Sequence, residues 1–206
     1  MSRPRATPAA RRQVTVAPAP PARSPSLERR EREKSETRAL ILATARELFM
    51  RVGYERTTMR AIADKIGYTA TAIYHHFADK HAMMLELCVN DFRSLHTALT
   101  SIGLVADPVD RIRLMGLGYV RFALENAEQF RFMFLVDRPQ PTADDVAHLL
   151  NPAEDGYLFL KKAVVEAINA GRIRKEHADP ELLTQAFWAT VHGIACIHVN
   201  SPPPKH

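Results

Sequence analysis

Residues 57–80 read TTMRAIADKIGYTATAIYHHFADK. In the first half of this stretch, apolar residues recur at helical spacing until Gly67, which is the pattern of a short amphipathic helix closed by glycine. Thr69 can then cap a second short helix, in which Ile73 and Phe77 face inward. The stretch therefore predicts two short helices joined by a tight turn.

Longer helices are predicted on both sides of this pair. Apolar side chains recur at helical spacing over residues 35–52, and Gly53 supplies the stop. Asp79 can cap a helix that runs from about Lys80 to Ser101 and is long enough to link two modules. This order is the helix-turn-helix arrangement, in which the second short helix enters the major groove of DNA.

The second short helix carries side chains suited to groove entry. Small residues whose hydroxyl and methyl groups can meet base edges stand at its start, at Thr69, Ala70 and Thr71. Donors for the flanking phosphates are expected at Thr57, Thr58, Tyr74, His75 and Lys80. Tyr74 could instead be a packed aromatic residue, and Lys80 an ordinary exposed base.

The rest of the chain is also predicted to be helical. Asp-Pro pairs at 107–108 and 179–180 place a cap before the residue best suited to open a helix. Helices are expected over 108–126, 128–136, 142–150, 152–170 and 180–199. No segment combines the strand period with hairpin punctuation. The fold class is therefore all-α, with a three-helix helix-turn-helix domain followed by a helical bundle.

The excess positive charge lies at the start of the chain. The formal net charge is +5, and residues 1–34 hold nine basic side chains against three acidic ones. This Pro-, Ala- and Arg-rich segment has few large apolar residues, so we expect a disordered arm. The arm could track DNA or could be a solvated tail.

Several other classes of protein are disfavoured. Cys88 and Cys196 lack the spacing of a disulfide framework or zinc finger, and His198 follows His192 at a spacing that places the two on different helix faces. No phosphate loop, nucleophile elbow or His-Glu-x-x-His motif occurs. No run of apolar residues reaches the length of a membrane span. We therefore expect no metal, no cofactor, no membrane association and no enzymatic activity, and a cytoplasmic location.

The residues between Thr37 and Leu87 resemble the tetracycline-repressor (TetR) family. The resemblance rests on the stretches ARELF at 45–49, TTMRAIA at 57–63 and AIYHHFADK at 72–80. The sequence departs from the family pattern at Tyr68, where a small aliphatic residue is commoner, and at Ala70, where lysine is frequent. The stretches FWATVHG at 187–193 and EQFRFMF at 128–134 further resemble a subgroup with a Trp-His-Gly core.

The resemblance implies that different segments of the chain form domains with different functions. Residues 35–82 would form the DNA-binding domain, residues 83–200 a ligand-binding and dimerisation domain, and residues 201–206 a tail. The protein would be a homodimeric repressor that a small-molecule effector releases from a palindromic operator. The alternative is an architectural DNA-binding protein that uses its basic arm and senses no ligand.

An aromatic-rich set in the C-terminal half supplies candidates for the effector pocket. Its members are Tyr119, Phe122, Phe130, Phe132, Met133, Phe134, Trp188 and His192. Such side chains can orient a mostly apolar molecule, but each could equally fill the core. Apolar stripes on the last two long helices likewise fit either a dimer interface or the core of one subunit.

Overall fold

The computed structural model describes residues 24–137 and 155–201, together with Pro139, Thr142 and Asp145. By internal contacts the chain divides into Met1–Glu36 and Thr37–His206. The helix predicted over 142–150 falls almost wholly outside the described residues. Within them the secondary structure is helical, without a strand, so the all-α prediction is confirmed.

Eight α-helices occur in the described part of the chain. They are α1 Pro25–Val52, α2 Met59–Ile66, α3 Ala70–Tyr74, α4 Lys80–Thr100, α5 Pro108–Glu125, α6 Ala127–Phe134, α7 Gly156–Asn169 and α8 Pro180–Asn200. Short 3-10 turns follow α4 at Ser101–Leu104 and precede α8 at Lys175–His177. Residues 37–79 are called the head below, and the helices α4 to α8 the C-terminal bundle.

Helix α1 begins ten residues earlier than predicted. It starts at Pro25, so the expectation of disorder over residues 1–34 is wrong for its last ten residues, while residues 1–23 lie outside the described part. Pro25 occupies the first helical position, and Arg29 pairs with Glu33 one turn later. The segment is rich in strong helix formers and wholly exposed. Apolar periodicity could not detect it because no apolar face is buried there.

Side-chain caps fix where most helices begin. Caps that accept a hydrogen bond from a backbone N–H of the first turn are Thr58, Thr69, Asp79, Asp107, Asp155 and Asp179. Each such cap typically contributes about 1 kcal/mol. The starts predicted at Thr69, Asp79, Asp107 and Asp179 are confirmed because the capping atoms are local in sequence.

The head and the C-terminal bundle have separate hydrophobic cores. The head core is centred on Ile41, Phe49, Ile62 and Ile73, and Phe132 of α6 is inserted into it. The bundle has one cluster around Tyr119, Phe122, Phe130 and Met133 and a second around Met115, Leu160 and Val164. Helix α4 contributes side chains to the head core and to the first bundle cluster, so it physically joins the two regions.

Candidate functional site

Helix α3 is held firmly on its inner side and open on its outer side. Ile73 is 0% exposed, which fixes the helix against the head core. Gly67 closes α2 in the left-handed region with φ 72°, a conformation that glycine adopts without strain. Thr71 and His75 are exposed, and 55% of Tyr74 is exposed. This geometry can present a short polar helix to a groove.

The small residues predicted to meet bases lie together at the start of α3. The Thr69 hydroxyl accepts a hydrogen bond from the Ala72 N–H at 3.2 Å and retains its own proton for donation. Ala70 is half-buried and Thr71 is exposed. Thr58 is likewise exposed while its hydroxyl accepts from the Ala61 N–H at 3.1 Å at the start of α2.

Two of the predicted phosphate contacts have structural roles. Thr57 is only 1% exposed and donates to the Gly53 carbonyl at 2.8 Å, so the prediction that it faces phosphate is wrong. The Lys80 ammonium donates to the carbonyls of Tyr54 and Glu55 at 2.9 and 3.2 Å. It also lies 4.3 Å from the centre of the Tyr54 ring. Lys80 therefore ties the start of α4 to the turn after α1.

An arginine near the start of the head connects α3 to α4. Arg38 donates to Glu86 Oε1 at 3.0 Å and to Glu86 Oε2, and also to the carbonyl of His76 just after α3. Its guanidinium lies 4.0 Å from the centre of the Phe77 ring. The position of α3 is thus linked to α4 by a charge-assisted contact that the sequence analysis missed.

A second missed cluster, the Asp91 joint, connects α1, α4 and α6. Arg46 donates to both carboxylate oxygens of Asp91, at 2.8 and 2.7 Å, and Gln129 donates to Asp91 Oδ1 at 2.9 Å. The Arg46 guanidinium lies 4.5 Å from the centre of the Phe132 ring, and the Asp91 side chain is 2% exposed. A carboxylate on the otherwise apolar face of α4 is the signal that could have predicted this joint, because buried charges need partners.

A cavity of about 990 Å³ lies inside the C-terminal bundle. Its wall is mostly apolar, and helix α4 supplies much of it, including Met84, Leu85, Cys88, Val89 and Phe92. Pockets of this size and character commonly bind small molecules. Because Asp91 lies beside Phe92 on α4, one helix carries both the cavity wall and the joint to the head.

The predicted aromatic set divides between the cavity and the core. Members that line the cavity are Tyr119, Phe134 and Trp188. Members that are packed in hydrophobic cores are Phe122, Phe130, Phe132 and Met133, so their assignment to the pocket is wrong. Spacing could not separate these groups, because neighbouring residues of α6 face different cores.

His192 lies behind the cavity wall rather than in it. Its Nδ1 is 2.9 Å from the Tyr119 hydroxyl oxygen, and its ring stacks on Trp188 with 5.0 Å between ring centres. Burial lowers the pKa of His192 and raises the pKa of Tyr119, so both stay neutral near pH 7. His192 can therefore position two cavity-lining aromatic residues without touching an occupant.

The cavity also has a polar rim that the sequence analysis missed. Its members are Asp155, Tyr157, Glu181 and Gln185. Glu181 accepts hydrogen bonds from Lys161 at 2.6 Å, Tyr157 at 2.7 Å and Gln185 at 3.0 Å. These bonds lower the pKa of Glu181 to about 2, so its carboxylate is ionised at neutral pH. Only the juxtaposition of the starts of α7 and α8 brings the rim together.

Two further observations concern metal and membrane. In the described stretches, no group of three or more His, Cys, Asp or Glu side chains could hold a metal ion. Helix α8 is long and apolar enough to cross a membrane by length and composition alone. Within the bundle, however, α8 packs against α5 and α7, as a helix of a folded domain does.

Two family models match the chain in the order of its two regions. Residues 41–87 match the family described as bacterial regulatory proteins, tetR family. Residues 112–204 match the family described as tetracyclin repressor-like, C-terminal domain. The two matches cover α2 and α3 and most of the helices around the cavity.

Individual relatives are transcription regulators. The chain is 27% identical over 173 residues to the regulator TtgR of Pseudomonas putida, covering 81% of each chain. It is 31% identical over 138 residues to the repressor KstR2 of Mycobacterium tuberculosis, covering 58% of this chain and 68% of that repressor. The fold is similar to that of AibR in complex with isovaleryl coenzyme A and operator DNA, with a TM-score of 0.67, 23% identity and coverage of 82% and 89% of the two chains.

Proposed function

The chain belongs to the TetR family of bacterial transcription regulators, and from this premise we propose that it is a homodimeric repressor released from a palindromic operator by a small molecule. The proposal places it in the cytoplasm, as a regulator rather than an enzyme. The observation that carries the proposal is that one helix, α4, contacts both regions. One part of its surface lines the cavity, and its residues Glu86 and Asp91 bond to Arg38 and Arg46 of the head.

Sequence preference is assigned to the start of α3. Thr69, Ala70 and Thr71 are proposed to meet base edges because they are small and stand at the end of the helix that would enter the groove. Tyr74 and His75 are exposed farther along and are proposed to contact phosphates, together with Thr58 at the start of α2. Lys80 can contact a phosphate only in addition to the two hydrogen bonds that its ammonium donates to backbone carbonyls.

Dimerisation is assigned to the outward face of α8. Leu182, Ile194 and Ile197 are 64%, 41% and 66% exposed, and they fall on one helical stripe with Ala186 and Gly193. The small residues would let a second helix approach closely. A second copy is the expected occupant because two recognition helices must reach successive half-sites on duplex DNA.

Coupling is assigned to α4 and α6 together. An occupant of the cavity that displaces α4 must also displace Asp91, which is bonded to Arg46 of the head. Helix α6 has the same double attachment, since Phe134 lines the cavity and Phe132 lies in the head core. A ligand can release DNA only to the extent that it binds the two arrangements with different affinity.

The proposal is tested by selecting DNA from a random pool with the purified full chain at near-physiological salt. We expect an enriched palindrome whose half-sites lie about one helical turn apart. No enrichment by a folded protein would contradict sequence-specific recognition and would favour nonspecific binding through the basic arm.

Variants then separate the roles of residues on α3. Thr71→Ala should change the preferred sequence, whereas Tyr74→Ala should weaken binding to all sequences. Arg113→Ala, which removes an exposed cation on α5 outside the head, is the control and should leave DNA binding unchanged. The reverse pattern for Thr71 and Tyr74 would contradict the assignment.

A further inference from the structure

The cavity has a charge character that its apolar wall alone does not reveal. No lysine or arginine is among the described residues that line it, whereas the carboxylates Asp155 and Glu181 and the histidines His81 and His96 are. The side chains of the described lining that carry a permanent charge are therefore both carboxylates, of which Glu181 is paired with Lys161 outside the lining.

Backbone donors that could offset this charge are already occupied. The starts of α7 and α8 would ordinarily attract anions through their free N–H groups. The Asp155 carboxylate accepts from the N–H groups of Tyr157 and Leu158 at 2.8 and 3.2 Å. Asp179 accepts from the first N–H groups of α8 in the same way. An anionic ligand would meet carboxylates where it needs donors.

The lysine that contacts the rim, Lys161, already has a partner. Lys161 donates to Glu181 Oε2 at 2.6 Å, and this bond raises the pKa of Lys161 while lowering that of Glu181 to about 2. Both groups therefore stay charged and paired with each other near pH 7. Recognition of a carboxylate, sulfate or phosphate by Lys161 would require breaking this ion pair.

Aromatic faces complete the arrangement. Tyr119, Phe134, Phe187 and Trp188 line the cavity, and the face of an aromatic ring attracts a cation. Aromatic rings next to carboxylates are a common way to bind an ammonium group attached to an apolar body. The volume of about 990 Å³ leaves room for such a body.

We propose that the cavity takes a lipophilic cation, an apolar molecule with an amine or ammonium head, and discriminates against anions of the same skeleton. The proposal rests on the proposed function, because it names the ligand class of the same site. The head group lies at the rim formed by Asp155, Tyr157 and Glu181, and the apolar body lies along α4. Coenzyme A esters, such as the ligand in the AibR structure, carry the opposite charge and are disfavoured.

The single tryptophan of the chain gives a direct test. Trp188 lines the cavity, so its fluorescence reports occupancy. The probes are 4-phenylbutylamine, 4-phenylbutan-1-ol and 4-phenylbutanoate, which share one skeleton and differ in charge. We expect the amine to bind roughly threefold tighter than the alcohol, and the carboxylate to bind weakest. Isovaleryl coenzyme A is tested in parallel and should not bind.

A variant that removes one charge tests whether the preference for the amine over the carboxylate comes from the rim. Glu181→Gln should reduce the preference for the amine over the carboxylate at least threefold, because it also releases Lys161 from its ion pair. Glu176→Gln removes the same charge from an exposed residue that does not line the cavity and should leave the preference unchanged. Thermal melting of both variants checks that they are folded.

The outcomes separate this inference from the proposed function. Equal or tighter binding of the carboxylate or the coenzyme A ester, or binding of none of the probes, would overturn the lipophilic-cation class while an enriched palindrome still supported a repressor. Failure to enrich any DNA sequence would instead overturn the proposed function, whatever the probes do.

Discussion

The head is tightly packed, whereas the C-terminal bundle contains a large cavity. In the head, Ile41, Ile62 and Ile73 are all 0% exposed and belong to the core that holds α3. The bundle instead encloses a cavity of about 990 Å³ along α4. A tightly packed core holds one arrangement, whereas a cavity leaves side chains room to move when it is filled. We therefore expect the head to keep its shape and the bundle to change when the cavity is filled.

Helix α6 shows the same contrast within two residues. Phe132 is 0% exposed, stacks on Phe49 with 6.4 Å between ring centres and lies beneath the Arg46 guanidinium. Phe134 lines the cavity. Substitutions at these two residues of α6 therefore compare the packing of the two regions.

The largest expected effect is the loss of the Phe132 ring. Phe132→Ala should lower the free energy of unfolding by about 3–5 kcal/mol, because it leaves a hole in a closed core. Phe134→Ala should cost clearly less, because that ring already borders empty space. Chemical denaturation at a fixed protein concentration measures both values. Equal losses would show that the two regions do not differ in packing.

Breaking the Asp91 joint should have the next largest effect. Asp91→Asn removes a buried charge that accepts three hydrogen bonds and leaves Arg46 without its ion pair, so we expect a loss of about 3 kcal/mol. Asp64→Asn, at an exposed carboxylate paired with Arg60, is the control and should leave stability unchanged. A tolerated Asp91→Asn would mean that the joint does not hold the head to α4 and α6.

Substitutions at two glycines compare the head and the bundle through smaller losses of stability. Gly67→Ala should destabilise the head by about 1–2 kcal/mol, because the left-handed conformation is strained for alanine although nothing crowds the new Cβ. At Gly116 the new Cβ would lie 2.9 Å from Phe187 Cζ, but alanine also gains about 1 kcal/mol of helix propensity.

Phe187 can yield because it borders the cavity. Gly116→Ala should therefore cost less stability than Gly67→Ala but weaken 4-phenylbutylamine binding by narrowing the cavity. Denaturation and Trp188 fluorescence measure the two effects. A Gly116→Ala protein with unchanged amine affinity would place the occupant elsewhere.

Two threonines at the start of α3 should differ although both are exposed. Thr69→Ala removes the cap of α3 and should cost about 1 kcal/mol. Thr71→Ala should leave stability nearly unchanged and alter only DNA preference. Melting temperatures and competition binding measure the two effects. Loss of stability from Thr71→Ala would indicate a structural role for that hydroxyl.

Acid should weaken the bundle more than the head. Hydrogen bonds lower the pKa of Asp107 and Glu181 in the bundle, and a bond from Lys65 lowers that of Glu47 in the head. A group with a lowered folded-state pKa stabilises above its usual pKa and loses that contribution as the pH falls. For Glu181 the loss should run from about pH 4.5 toward about 2. Melting by Trp188 fluorescence checks this, and Glu181→Gln should flatten the profile.

Local signals made most of the fold predictable. The caps at Thr69, Asp79, Asp107 and Asp179 act within three residues along the chain, so the sequence contains both partners. The first ten residues of α1 were missed because their helix depends on propensity rather than on a buried face. Helix propensity over residues 25–34 was the signal available.

The site was predictable only in part, because its contacts join distant elements. The exposed residues of α3 follow from their position after the turn. The role of Thr57 did not follow from its position, since the spacing does not show that its side chain is buried in the folded head. In the bundle, periodicity could not show that Phe134 faces a cavity while Phe130 fills a core. The rim around Glu181 needs the folded juxtaposition of α7 and α8.

The most direct test of the coupling through α4 is the affinity for the selected operator, measured while the cavity is filled. Each molecule that changes Trp188 fluorescence is titrated against the operator complex, and operator is titrated against the ligand-bound protein. We predict that at least one such molecule weakens operator binding and that operator weakens its binding by the same factor. Unchanged operator affinity for every molecule that occupies the cavity would contradict the claim that α4 couples the cavity to the head.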